Sequence, residues 1–187
     1  MDEFGYLSVI ISVILGLSVT QLLQGLSQII NARDRVRIYW PTIGWAVLLL
    51  IVDVQAWWAM FGLRNKHAWT FLQFAVVLLE TIILYLLAAL VMPVIPSTEH
   101  VDLRSNYFRH AGWFFGLLAA VLIDSLLKDF VIAGSFTTGL NLGFHLFWIA
   151  TALIAAVVRN DRFHKTFICF SLALFITYIA LLFAELR

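Results

Sequence analysis

The sequence predicts an all-α integral membrane protein, a bundle of six transmembrane helices. Three observations carry that expectation. Of 187 residues, 63% are hydrophobic and only 12% are charged, against about a quarter charged in soluble domains. A soluble protein of this length has too little interior to hide so much apolar surface. The apolar residues also fall in long continuous runs, not in the ten-residue alternation of a membrane strand. Helices satisfy their own backbone groups, as a lipid environment demands.

The runs cover about 4–30, 40–63, 69–92, 109–133, 137–158 and 164–184. The first is expected to be a retained helix and not a signal peptide: it is long for an h-region, and it follows Met1-Asp2-Glu3, with no positive leader. Pro41 fits the first turn of the second helix, and Pro93 with Pro96 ends the third. The basic break Arg64-Asn65-Lys66-His67 separates those two. Trp40, Trp45, Trp69 and Trp113 fall near helix ends, as interfacial anchors do. Trp57, Trp58 and Trp148 lie deeper and are expected to pack between helices. The single cysteine, Cys169, excludes an intrachain disulfide and reads as a small packing residue. The connections are short, so 1–187 is read as a single transmembrane domain.

Basic residues set the orientation. Arg33, Arg35, Arg37, Arg104, Arg109, Arg159, Arg162 and Lys165 fall in or beside the first, third and fifth connections. Arg64, Lys66 and Arg187 fall on the other side, and Lys128 lies inside or near a span. The richer side is expected in the cytoplasm, which puts both termini outside. The membrane expected is a bacterial inner (plasma) membrane.

Helix one carries a row at four-residue spacing, Ser8, Ser12, Gly16, Thr20, Gln24 and Gln28; helix four carries Gly112, Gly116, Ala120, Asp124 and Lys128. Rows of small residues let helix backbones approach closely, so both helices are expected to lie centrally. The same alignment lays Val19-Thr20-Gln21-Leu22-Leu23-Gln24 on Ile123-Asp124-Ser125-Leu126-Leu127-Lys128. It suggests two inverted three-helix repeats, 1–96 and 105–187, a pattern common in transporters.

Five ionisable residues fall inside the predicted spans: Asp53, Glu80, Asp124, Lys128 and His145. A charge at the bilayer centre costs roughly 3 kcal/mol on insertion scales, so such groups face an interior and mark function. Asp53 and Glu80 sit on adjacent helices at similar depth and are expected to face each other or the same central cavity. Asp124 and Lys128 stand at i and i+4 in the favourable order, which predicts a local ion pair. His145 has Asn141 one turn away and reads, taken alone, as a hydrogen-bonded core histidine.

Several chemistries are poorly supported. The five histidines are scattered, which disfavours di-iron and bis-histidine haem sites. Ser125 and His145 lack a Gly-x-Ser-x-Gly elbow, and Lys128 near a helix end matches a retinal protein badly. Net charge of +1 gives no face for nucleic acid. No catalytic residue, cofactor or metal is assigned. The expected function is a small transporter or channel for protons or a small cation. Its pathway comprises Asp53, Glu80, Asp124, Lys128, His145, Gln21 and Gln24. The alternative is a non-catalytic subunit or scaffold that binds lipid or pigment between helices; an intramembrane lipid enzyme ranks third. The expected partners are the lipid bilayer and either further copies in a homo-oligomer or a larger membrane complex.

Overall fold

The computed structural model describes residues 3–64, 66, 68–96, 100–136 and 138–185. Met1, Asp2, Asn65, His67, Thr137 and Arg187, used above, lie outside the described residues. The fold is all-α with six helices: α1 (Glu3–Asn31), α2 (Trp40–Ala59), α3 (Phe71–Val91), α4 (Leu103–Ala133), α5 (Gly139–Val157) and α6 (Asp161–Glu185). A 3₁₀ turn, Met60–Leu63, extends α2. Among the described residues, three helical stretches are long and apolar enough to cross a membrane: Phe4–Asn31, Trp40–Leu63 and Phe71–Val91. In α5 the apolar stretch is the shorter Asn141–Val157.

Local chemistry fixes the helix ends. Pro41 occupies the first turn of α2, where its missing N–H costs nothing. Thr70 and Gln73 form a reciprocal capping box at the start of α3: the Gln73 N–H donates to Thr70 Oγ1, and the Thr70 N–H donates to Gln73 Oε1. Asp102 caps α4 by accepting the Arg104 N–H at 2.9 Å. Gly134 ends α4 at φ 72°, a left-handed conformation that suits glycine.

Helices α1, α2 and α3 pack on one another, α4 packs on α3, α5 on α4, and α6 on α2. Connections alternate between two ends of this bundle. At the first end, Val36–Arg37 (β1) pairs in parallel with Val101–Asp102 (β2), joining the α1–α2 and α3–α4 connections. The strand-free expectation missed this two-residue ladder. Arg104 and Lys165 both reach Asp161, at 3.2 and 2.7 Å, which brings the start of α6 to the same end. At the second end, Phe4 and Ser8 share a cavity with Arg64, and Gln73 Nε2 donates to the Val131 carbonyl.

The outward faces correct several expectations. The row of α1 that packs inward is Leu7, Ile11, Leu15, Ser18, Leu22 and Ile29. The small and polar row is turned out: Ser12, Gly16, Thr20, Gln24 and Gln28 are exposed. A Cβ on Gly16 would meet nothing, whereas one on Gly25 would strike the Met92 side chain. The close approach of α1 to α3 is therefore made at Gly25, and α1 lies at the rim. Trp45, expected at an interface, is buried against Phe114, Phe115 and Phe167. Trp57 and Trp58, expected inside, are about half exposed, while Trp148 is buried as expected. Cys169 is exposed and packs nothing in the core.

Candidate functional site

The strongest polar contact in the bundle joins α3 to α4. Lys128 Nζ donates to both carboxylate oxygens of Glu80, at 2.7 and 2.6 Å. The two side chains retain 22% and 13% exposure, so the pair is mostly withdrawn from solvent. This overturns the local Asp124–Lys128 pair. The two residues do share a face of α4, but that face packs on α3, and the long lysine stem carries its charge across to Glu80. Asp124 is left buried, with neither carboxylate oxygen hydrogen-bonded to protein. It lies within electrostatic reach of both Glu80 and Lys128.

A cavity of about 270 Å³ opens beside the pair toward the second end. Ala56 and Met60 on the α2 side, Glu80 of α3, and Lys128, Asp129 and Ala133 of α4 are among the residues that line it. Asp53 stands one turn beyond Ala56, and Asp124 one turn beyond Lys128. The carboxyls therefore follow the ion pair inward from the cavity.

Asp53 sits in a second node. Ser18 Oγ of α1 donates to Asp53 Oδ2 at 2.7 Å and lies 3.4 Å from the Leu84 carbonyl of α3. Asp53 and Ser18 are both fully enclosed, and Asp53 Oδ1 has no hydrogen-bond partner. Asp53 and Glu80 do not face each other as expected: one is held by Ser18, the other by Lys128, and Asp53 does not line the cavity. A buried polar atom without a partner is costly, and three such carboxylate oxygens within adjacent helices call for a proton, a water or a cation.

The remaining predicted residues stand apart. Gln24 is exposed on the rim of α1, and Gln21 is half-buried there. His145 is half-buried on α5, with Nδ1 bonded to the Asn141 carbonyl in its own helix. Among the described residues, no group of three or more His, Cys, Asp or Glu is placed to hold a metal ion.

Sequence reasoning missed Ser18, which falls outside the four-residue row of α1, and it missed a polar chain at the first end. There Trp45 Nε1 donates to Tyr107 Oη at 3.2 Å, and Tyr107 Oη lies 2.9 Å from His164 Nδ1. His164 Nε2 lies 2.7 Å from the Val158 carbonyl, which only accepts. In the neutral ring Nε2 carries the proton, Nδ1 accepts from Tyr107, and every member is matched. Next to it, Asp161 is held well below its ordinary range, at about 2, first by the Lys165 bond and also by Arg104. Tyr39 moves the opposite way: burial, and then the Asp161 anion, push its hydroxyl pKa up. The sequence offered one signal for this cluster, an aromatic residue or histidine close to each of the first, third and fifth connections.

Compared with protein-family models, curated proteins and solved structures, the chain matches none.

Proposed function

We propose that this protein is a six-span membrane transporter that exchanges protons or a monovalent cation at Asp124. The observation that carries this reading is the buried, unpartnered Asp124 carboxylate one turn beyond the Glu80–Lys128 pair at the inner limit of an open cavity. Glu80 and Lys128 cancel, and of the remaining carboxylates near the cavity, Asp124 and the lining Asp129, it is Asp124 that is buried with both oxygens unbonded. One proton or one monovalent ion at Asp124 neutralises that carboxylate. Asp53, with one unbonded oxygen at similar depth, is the next stop inward. A cavity open toward the second end supports one state of an alternating-access cycle. In the orientation set by the basic residues, with both termini outside, that mouth faces outward.

Flux into liposomes tests it. Wild-type protein should move protons or a monovalent cation, and Asp124→Asn should abolish that movement while eluting normally in detergent. Cysteines placed at positions 35 and 64 should label from opposite sides. Wild-type liposomes that are silent under every proton, sodium and potassium gradient overturn the transport reading.

A second reading is favoured by the outward row of α1. Gly16, Thr20 and Gln24 are exposed along it, and Thr20 is satisfied within its own helix, on the Gly16 carbonyl. Such faces pack helix to helix in membranes. A subunit of a larger complex or homo-oligomer would use it. Constant co-purification with a partner, together with silent liposomes, supports that reading over transport.

A further inference from the structure

At the first end, outside the site above, an open pocket of about 430 Å³ lies between the start of α4 and the end of α5. Asp102, Arg104, Ser105, Phe108, Arg109 and Arg159 line it. The single carboxylate is already engaged: Asp102 caps the Arg104 N–H and lies 3.8 Å from Arg37. Arg104 is fixed by Asp161 and by the Phe108 ring, 5.3 Å from its guanidinium. Arg109 and Arg159 are exposed and have no acidic partner among the described residues. Two arginines converging on a pocket beside a serine hydroxyl match the oxygens of a phosphate group.

The surroundings say how that phosphate arrives. Trp113 lies one turn past Arg109 on the same face of α4 and is 75% exposed. Val157, two residues before Arg159, is 80% exposed. Below the basic pocket the surface is thus apolar, with a tryptophan at the boundary, as at a headgroup level. We propose that this pocket binds the phosphate of an anionic phospholipid, whose chains lie along the α4–α5 face past Trp113 and Val157.

The protein is equilibrated in detergent with mixed phosphatidylglycerol and phosphatidylcholine, repurified, and its retained phospholipid is quantified by class. Phosphatidylglycerol should be enriched. Arg109→Gln with Arg159→Gln should weaken its binding about 25-fold, roughly fivefold for each arginine near an anionic surface. Arg109→Lys with Arg159→Lys should keep most of it. Arg33→Gln with Arg162→Gln removes the same charge from exposed residues of the same end that do not line the pocket, and should change nothing. Equal loss in the two glutamine pairs would mean general surface charge and overturns the site, as does no loss in either. Inorganic phosphate is the second probe. If it raises the unfolding temperature of lipid-free wild type but not of the Arg109/Arg159 glutamine variant, and no lipid class is enriched, the lipid source is overturned. Gel filtration and far-UV circular dichroism confirm that each variant is folded.

Discussion

At the end where the α1–α2, α3–α4 and α5–α6 connections meet, the carboxylates of Asp102 and Asp161 are engaged and a buried polar chain is complete, and the buried atoms left without a hydrogen-bond partner there are the neutral hydroxyls of Tyr39 and Thr42. Trp45, Tyr107 and His164 hand a single hydrogen-bond chain to the Val158 carbonyl, Asp161 takes two cations, and a two-residue ladder ties the connections together. Rings of Trp45, Phe114, Phe115 and Phe167 fill the space beneath. At the opposite end a cavity enters between α2, α3 and α4, and the charged groups it reaches are unevenly matched: Glu80 has Lys128, while Asp124 has no hydrogen bond. The contrast teaches where motion and exchange belong. A satisfied network is stiff, and a half-satisfied one waits for a ligand, a proton or a rearrangement.

The largest expected effect breaks the open end. Lys128→Ala leaves Glu80 withdrawn from water with its counterion gone, and should cost about 3 kcal/mol. Adding Glu80→Gln to the same chain should restore much of that loss, because the stranded charge disappears. Thermal unfolding in detergent reads both. If the single and the double variant unfold together, the pair is not what joins α3 to α4.

The closed end should respond next. Tyr107→Phe removes the middle of the chain and strands both Trp45 Nε1 and His164 Nδ1, at about 2 kcal/mol in total. It leaves the Glu80, Asp124 and Asp53 side chains untouched, so flux per folded molecule should be unchanged. A Tyr107→Phe variant that is fully stable but transport-dead would reverse the roles assigned to the two ends.

How much of this could be read in the chain differs between elements. The apolar runs located the six helices, because a run's length and its prolines are local properties; the largest miss is α4, which begins six residues before the apolar run, at Leu103, in a polar first turn capped by Asp102. Which face of α1 turns inward was not legible. In lipid both a leucine row and a small-residue row are tolerable outside, so hydrophobicity does not choose; shape does, at Gly25 against Met92. The partner of Lys128 was misread for a related reason. Spacing along α4 offered Asp124, but a lysine reaches several ångströms, and the carboxylate it found is 48 residues away on α3. The Asp53–Ser18 node and the β1–β2 ladder depend on how helices meet, and no periodicity encodes that.

Ser18→Ala should sharpen the comparison within the open half. It removes the hydrogen bond that α1 donates to Asp53 and should cost about 1 kcal/mol. Asp53→Asn should cost less, since an amide still pairs with Ser18 and no longer carries a charge. A larger loss for Asp53→Asn than for Ser18→Ala would show that the charge itself is needed there, through an ion held at Oδ1.

The smallest effect probes the closed end by pH. Asp161 is held at about 2 in the folded chain, below the ordinary 3.8, because Lys165 first and also Arg104 favour its anion. The folded state therefore binds this proton less readily than the unfolded chain does. The stability it contributes is complete above about pH 4 and is lost as pH falls toward 2. Lys165 and Asp161 are 40% and 27% exposed, so solvent screens the contact, and Asp161→Asn should cost about 0.5 kcal/mol at neutral pH. The variant's unfolding temperature should also fall less steeply than that of wild type between pH 4 and pH 2, so that the two curves converge on the acid side. Parallel curves across that window would mean that Asp161 is not the group fastening α6 to the connections beside it.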